Sequence, residues 1–139
     1  MIVVGLTGGI ASGKSFVIKY LKKKKIPTHE SDEVIKKIYL KPSAKFLYFL
    51  SNNGFETSIK RKKIVKQIVR NEIFNNSNKK EKLEKYLHHE VQKERNRFLK
   101  KNKNKKIVFL DIPLLFENNL QSICDYVCSM IAPIYTRKK

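Results

Sequence analysis

Short apolar runs that end in turn residues recur along this chain and predict the strands of a sheet. The first run, residues 2–6, is rich in β-branched residues and ends at Thr7-Gly8-Gly9, which is typical of a buried parallel strand. Three further runs of this kind lie at 26–29, 107–110 and 126–132. Segments with helical spacing separate them, and this alternation favours a parallel α/β sheet.

The helical segments are recognised by apolar residues three and four positions apart. Residues 15–24 predict a first helix, and Ser31-Asp32 is expected to cap a second one that runs to about Leu40. From Pro42 to Lys101 the pattern is mostly helical, in three pieces marked by Phe46, Leu47, Phe49 and Leu50, by Ile64, Ile68, Val69 and Ile73, and by Leu83, Tyr86, Leu87, Val91 and Phe98. We therefore expect one domain over residues 1–139, with a helical insertion at about 42–101 beside the site.

The charge of the chain is strongly positive, but its distribution does not indicate a nucleic-acid partner. There are 31 Lys and Arg against 12 Asp and Glu, a formal net charge of +19. The Lys clusters at 22–25, 60–63 and 100–106 fall at predicted helix ends or loops, where solvated positions are the simplest interpretation. We expect no nucleic-acid partner and no membrane partner.

The two cysteines and the N-terminal segment bear on the cellular compartment. Cys124 and Cys128 stand four residues apart without a second pair or a histidine at metal-ligand spacing, so we interpret them as buried, reduced thiols. The first apolar run is only about five residues long and lacks a preceding basic segment, unlike a secretory signal. A cytoplasmic protein is expected.

A glycine-rich loop follows the first predicted strand and carries the clearest chemistry. Gly8, Gly9, Ile10, Ala11, Ser12, Gly13, Lys14 and Ser15 fit the pattern G-x-x-x-x-G-K-[ST] without a gap. In this pattern the glycines allow backbone N–H groups to face a phosphate, the lysine reaches the β- and γ-phosphates, and the serine hydroxyl binds Mg²⁺. The sequence therefore predicts a site for a nucleoside triphosphate and Mg²⁺ between the first strand and the first helix.

Two acidic residues are candidates for the same site because each follows an apolar segment. Asp111 ends the run 107–110, at the position where P-loop proteins place an acid that holds Mg²⁺. Asp32 follows the run 26–29, so it is either a helix cap or a group that accepts or orients the proton of an attacking hydroxyl. His88 and His89 lie in a helix of mixed polarity, and composition alone favours a surface or packing role for them.

Taken together, four segments resemble the dephospho-CoA kinase family. They are LTGGIASGKS at 6–15, SDEVI at 31–35, LEKYLHHEV at 83–91 and, most specifically, DIPLLFENNL at 111–120, in the family's order and approximate spacing. The resemblance covers residues 1 to about 133. It implies a three-layer P-loop NTPase fold and transfer of the ATP γ-phosphate to the ribose 3′-hydroxyl of dephospho-CoA with Mg²⁺.

The resemblance also implies roles for individual residues. Residues Gly8 to Phe16 would bind ATP, Lys14 and Asp32 would be catalytic, and Ser15 and Asp111 would hold the metal. The acceptor would be bound by Asp32, His88, Leu114, Leu115, Phe116 and Glu117.

The sequence departs from the family pattern at three positions and at its end. Glu30 replaces the first Asp of a D-A-D motif, His89 stands in place of a Pro, and Phe16 in place of a Ser or Thr. The family continues beyond the strand at 126–132 into a lid with arginines and an adenine-binding segment, whereas this sequence ends at Lys139. Arginines on a transferring phosphoryl group contribute about 10³ to 10⁵ in rate. We therefore expect the isolated chain to be weakly active or inactive and poorly stable, although still able to bind nucleotide.

Other functions stay open at this point. One is a P-loop kinase for a nucleoside monophosphate or a small metabolite, against which DIPLLFE argues. Another is a shortened remnant that binds nucleotide without catalysis, favoured by the C-terminal difference and opposed by the intact segments at 8–15 and 111–117. A nucleic-acid-binding module is suggested by charge alone, and only steep salt-dependent binding would support it.

Overall fold

A computed structural model describes residues 1–8, 13–113, 115–116 and 118–130. Its strands are β1 (Ile2–Gly8), β2 (Thr28–Glu30), β3 (Ile59–Lys60), β4 (Lys63–Ile64), β5 (Ile107–Asp111) and β6 (Tyr126–Met130). Its α-helices are α1 (Lys14–Lys23), α2 (Ser31–Leu40), α3 (Ala44–Asn52), α4 (Lys66–Phe74) and α5 (Ser77–Lys101), with short 3₁₀ helices at Glu56–Ser58 and Gln121–Ile123. None of the helices in these ranges is long and apolar enough to cross a membrane.

The chain forms two units, of which the first contains the sheet. This unit comprises Met1–Asp32 and the described residues from Arg95 onward. Its four described strands are all parallel and lie in the order β2-β5-β1-β6. The α/β class and the parallel sheet expected from the sequence are therefore confirmed.

Apolar side chains on β1 and β5 explain why these strands are central. Val108 and Leu110 are fully buried, and together with Val3, Ile112 and Leu115 they form one core cluster. A second cluster joins Leu6 to Ile18 and Leu21 and so fixes helix α1 against the sheet. Each buried aliphatic side chain contributes about 1.5–3 kcal/mol to the stability of the fold. The packing therefore fixes β1 and α1, the two elements that flank the glycine loop.

The second unit, Glu33–Glu94, is mostly helical. Its core contains six buried residues: Phe46, Leu50, Phe55, Val69, Leu83 and Leu87. Helix α3 begins after Ser43, whose hydroxyl accepts a hydrogen bond from the Phe46 N–H at 3.1 Å. The three predicted helical pieces correspond to α3, α4 and α5.

The structure differs from the sequence-based expectation in three local features. Ile64 belongs to a small antiparallel hairpin, β3-β4, rather than to a helix. Ser31 and Asp32 are the first residues of α2, and the Ser31 hydroxyl makes no hydrogen bond to the described residues. Cys124 is half-buried and burial raises the pKa of its thiol, whereas Cys128 is exposed because β6 is the edge strand of the described sheet.

Candidate functional site

The turn into helix α1 has the backbone conformation that a phosphate loop requires. Gly8 is the last residue of β1, and Gly9 to Ser12 lie outside the described residues. Gly13 precedes α1 with φ of 87°, a left-handed conformation that glycine adopts without strain. Among the described residues, a Cβ at Gly13 would meet only Met130 Cε, at 3.9 Å, so the positive φ is the observed reason for glycine here.

The N-terminal end of helix α1 is suited to an anion. Its cap residue Gly13 has no side chain, and its first turn contains no acidic residue, so the helix's own first turn supplies no carboxylate to neutralise the partial positive charge of the helix end. Ser15 and Phe16 are exposed in this first turn. Backbone N–H groups and a hydroxyl are therefore available to phosphate oxygens at the predicted position.

Lys14 and Asp111 form an ion pair at the carboxyl edge of the sheet. Asp111 ends β5 in register with Leu6 of β1, and its Oδ1 lies 2.9 Å from the Nζ of Lys14. The side chain of Lys14 is 16% exposed to solvent and that of Asp111 is 7% exposed. The register of β1 and β5 thus joins the lysine of the loop to the strand-end acid.

The electrostatic surroundings of Asp111 disfavour its charged form. Burial raises the pKa of the Asp111 carboxyl above its usual range, contact with Lys14 opposes this rise, and the charges of Asp32 and Glu30 add to it. A buried carboxylate with neighbouring acids gains most from a multivalent cation. This is the electrostatic setting expected of a metal ligand.

Two further acids lie at the same edge of the sheet. Glu30 is the register partner of Asp111 in β2, and its carboxylate pairs with Lys22 of helix α1. Asp32, two residues later, is exposed. The charge of Asp32 acts on the Asp111 carboxyl, so Asp32 lies near Asp111 in the first unit.

The oxygen donors at this edge fit a Mg²⁺ ion held partly by phosphate. Within the described part of the chain, no group of three or more His, Cys, Asp or Glu side chains could hold a metal ion. Mg²⁺ in nucleotide sites is usually bound by one or two protein oxygens together with water and phosphate, rather than by a complete protein cage. Asp111 and the hydroxyl of Ser15 are donors of this type.

The remaining candidate residues are placed as follows. Leu115 is fully buried in the core cluster of the first unit, and Phe116 is 48% exposed. His88 is exposed on α5 in the second unit. Leu114 and Glu117 lie outside the described residues. A role of these residues in acceptor binding stays a prediction.

Two contacts in the first unit were not expected from the sequence. Lys22 binds Glu30, and Asp125 pairs with Val3 through its side chain and its backbone. The acid immediately before the predicted strand at 126–132 is a signal for the second contact. The first depends on the spatial relation of α1 to β2, which spacing along the chain does not reveal.

Comparison with models of known protein families shows which family the chain belongs to. The family model of dephospho-CoA kinase matches residues 2–138. The chain belongs to the dephospho-CoA kinase family. Among its relatives, the dephospho-CoA kinase of Fusobacterium nucleatum is 36% identical over 135 residues, which span 95% of this chain and 67% of that protein. The dephospho-CoA kinase of Zymomonas mobilis is 32% identical over 139 residues, which span 100% of this chain and 70% of the relative.

Solved structures with a similar fold are also known. TT1252 from Thermus thermophilus superposes with a TM-score of 0.77 at 25% identity, covering 98% of this chain and 68% of that one. Dephospho-CoA kinase from Campylobacter jejuni gives a TM-score of 0.67 at 17% identity, covering 98% and 92% of the two chains, and supports the fold. The P-loop NTPase fold expected from the sequence is confirmed.

Proposed function

We propose that this chain catalyses transfer of the γ-phosphate of ATP to the ribose 3′-hydroxyl of dephospho-CoA. The observation that carries the proposal is the pairing of Lys14 with Asp111 at the strand-loop-helix connection, in a chain of the dephospho-CoA kinase family. Phosphoryl transfer depends mainly on positioning and on stabilisation of phosphate charge. A basic loop residue beside a strand-end acid provides groups for both.

The nucleotide half of the site is assigned to the loop and to helix α1. Gly8 to Phe16 would bind ATP, with Lys14 on the β- and γ-phosphate oxygens. Ser15 and Asp111 would hold Mg²⁺, which when bound neutralises the charge of the phosphates. The exposed N-terminus of α1 supports this assignment because its N–H groups are available to an anion.

The acceptor half of the site is assigned to Asp32 and to residues suggested by the family pattern. Asp32 would accept or orient the proton of the 3′-hydroxyl, as carboxylates do in phosphoryl transfer. Its exposure and its electrostatic effect on Asp111 support a position near the metal ligand. His88, Leu114, Leu115, Phe116 and Glu117 would contribute to acceptor binding.

We retain the interpretation of one P-loop kinase domain with an acceptor-side helical insertion at about 42–101. In its support, the second unit contains a cavity of about 600 Å³, within the size range of small-molecule sites. The cavity has apolar walls that include Ile38 and Tyr86 and polar groups that include Ser43 and Glu90. This mixture suits an acceptor with both apolar and amide groups. A cytoplasmic location and the absence of nucleic-acid and membrane partners are part of the same proposal.

A panel of acceptors tests the proposed function. Purified chain is incubated with ATP, Mg²⁺ and either dephospho-CoA, a nucleoside monophosphate or pantetheine, and the phosphorylated product is identified by mass spectrometry. We expect product with dephospho-CoA only, formed at a low rate, and none from the Lys14→Ala variant. Phosphorylation of another acceptor at an equal or higher rate would replace this function with that of a different small-molecule kinase.

A further inference from the structure

The ion pair between Lys14 and Asp111 joins two groups whose proposed partners are different. Lys14 is assigned to the phosphates, and Asp111 is assigned to the metal. In the structure the Nζ of Lys14 instead contacts the Oδ1 of Asp111 at 2.9 Å, with both side chains largely buried. An ammonium so close to a carboxylate occupies a position where a metal ion would bind, and it loses interaction energy when it moves to a phosphate.

Nearby charges leave Lys14 and Asp111 as each other's partner. Glu30 is the acid directly beside Asp111 in the sheet, but its carboxylate is engaged by Lys22. Asp32 is exposed and forms no ion pair within the described part of the chain, yet it acts on Asp111 as a like charge. When Lys14 leaves Asp111, the buried carboxylate therefore faces two acids without a compensating cation.

A divalent cation would be a stronger partner for Asp111 than Lys14 is. In the described part of the chain, the largely buried Asp111 carboxylate pairs with Lys14 alone, whose Nζ lies 2.9 Å from its Oδ1. Burial disfavours the Asp111 charge, and a buried carboxylate gains more from a divalent cation than from one ammonium. Replacement of Lys14 by a metal ion at Asp111 is thus favourable on charge alone.

We propose that the Lys14–Asp111 pair couples nucleotide binding to metal binding, because Lys14 becomes available to the phosphates only when a divalent cation takes its place on Asp111. The inference rests on the proposed function and adds a positioning role for Asp111: the residue controls where Lys14 is held. Nucleotide and metal then bind cooperatively, and the coupling is reciprocal. Without the metal, a nucleotide has to draw Lys14 away from a carboxylate that stays buried and unpaired.

This coupling predicts that Asp111→Asn changes nucleotide affinity in opposite directions without a divalent cation and with one. In EDTA the variant has no carboxylate at position 111 to compete with phosphate for Lys14, so a nucleotide binds more tightly than to the wild type. With excess Mg²⁺ the variant lacks a metal ligand, so the nucleotide binds more weakly. A residue that merely held the metal would give the second effect without the first.

The experiment is a fluorescence titration of an ATP analogue in EDTA and in excess Mg²⁺. In EDTA we expect Asp111→Asn to tighten binding about tenfold, within the range of 5 to 150-fold typical of coupled sites. Glu30→Gln is the matched control, because it removes the same charge from the adjacent strand position and leaves the Lys14–Asp111 pair intact. We expect it to change binding by about twofold or less, as for a charge that acts only at a distance.

A double-mutant cycle separates competition for Lys14 from charge repulsion. On a Lys14→Ala background, Asp111→Asn should tighten binding in EDTA no more than Glu30→Gln does. Asp111→Asn could still tighten binding when Lys14 is absent, or Glu30→Gln could tighten it equally in the wild type. Either result would show simple repulsion between an acid and the phosphates and would overturn the inference. Circular dichroism verifies that each variant is folded.

Lys14→Ala alone keeps the inference testable if Asp111→Asn does not fold. The ratio of the dissociation constants in EDTA and in Mg²⁺ should fall in this variant, because no lysine is left to be released. An unchanged ratio contradicts the coupling. If the wild type binds no nucleotide in either condition, the proposed function fails together with the coupling, whereas nucleotide binding without the Asp111 effect overturns the coupling only.

Discussion

Gly5 and Cys124 are packed so closely that a Cβ on Gly5 would lie 2.7 Å from the Sγ of Cys124. The same Cβ would lie 2.7 Å from Cδ1 of the fully buried Leu115. Leu115 is fully buried in the core cluster of the first unit and has little room to move, whereas Cys124 is half-buried. This contact explains a glycine in the middle of the apolar strand β1.

Gly5→Ala is therefore expected to destabilise the protein. Overpacking of a core typically costs about 1–3 kcal/mol, and we expect a loss of this size in the free energy of unfolding measured with urea. Adding Cys124→Ala removes the sulfur and should restore part of the loss, but Leu115 remains in contact. Wild-type stability of Gly5→Ala alone would contradict the close packing.

The central strands and the loop were predictable because their signals are local. Residues 2–6 and 107–110 are apolar runs with clear ends, and the glycine loop has fixed spacing. The hairpin β3-β4 was missed because its strands have two residues each. Its turn consists of Arg61 and Lys62 in left-handed conformations, which usually indicate Asn or Gly.

The geometry of the site was less predictable than its composition. Asp111 was a candidate metal ligand from its position after an apolar run, and Lys14 from the loop. Their contact follows from the register of Leu6 with Asp111, which depends on pairing between strands about 100 residues apart in the chain. The exposure of Cys128 likewise depends on strand order rather than on residue type.

Asp125 is expected to stabilise the start of strand β1 through a reciprocal pair with Val3. The Val3 N–H donates to Asp125 Oδ2 at 2.7 Å, and the Asp125 N–H donates to the Val3 carbonyl oxygen at 2.7 Å. Asp125→Ala removes the first bond and should cost about 1 kcal/mol of unfolding free energy, the net value of one hydrogen bond. Asp125→Asn keeps an acceptor oxygen and should cost less. Equal losses in both variants would show that the side-chain bond contributes little.

Lys79 is expected to stabilise the second unit through three contacts. Its Nζ donates to the Gly54 carbonyl oxygen at 3.0 Å and to Glu72 at 2.6 Å, and lies 5.8 Å from the centre of the Phe55 ring. Lys79→Ala should lower the free energy of unfolding by about 1–3 kcal/mol, because two charge-assisted bonds are lost. Lys80→Ala is the control at the next, exposed position and should change stability by less than about 0.5 kcal/mol. Similar losses in the two variants would contradict the role of Lys79.

Asp32→Asn tests the proposed acid–base role. The change keeps the size of the side chain and removes its ability to accept a proton, so we expect kcat for dephospho-CoA to fall about 10²- to 10⁴-fold. Affinity for an ATP analogue should be nearly unchanged. Glu33→Gln removes the neighbouring exposed acid, which pairs with Lys36, and should leave kcat nearly unchanged. Equal kcat in Asp32→Asn and the wild type would exclude Asp32 as the base.

Asp111 should give the stability of the protein a characteristic pH dependence. Its folded-state pKa is raised, mainly by burial, so between the unfolded value of about 3.9 and the folded value the native state binds more protons than the unfolded chain. Ionisation of Asp111 then costs stability as the pH rises through this window, and the cost is fully present above the folded pKa.

The uncharged Asp111→Asn variant does not carry this cost. The difference in unfolding free energy, variant minus wild type, should therefore increase as the pH rises above about 4 and level off above the folded-state pKa. Urea unfolding of both proteins across this range measures the difference. A difference that decreases with rising pH would show that Lys14 stabilises the Asp111 anion more strongly than burial destabilises it.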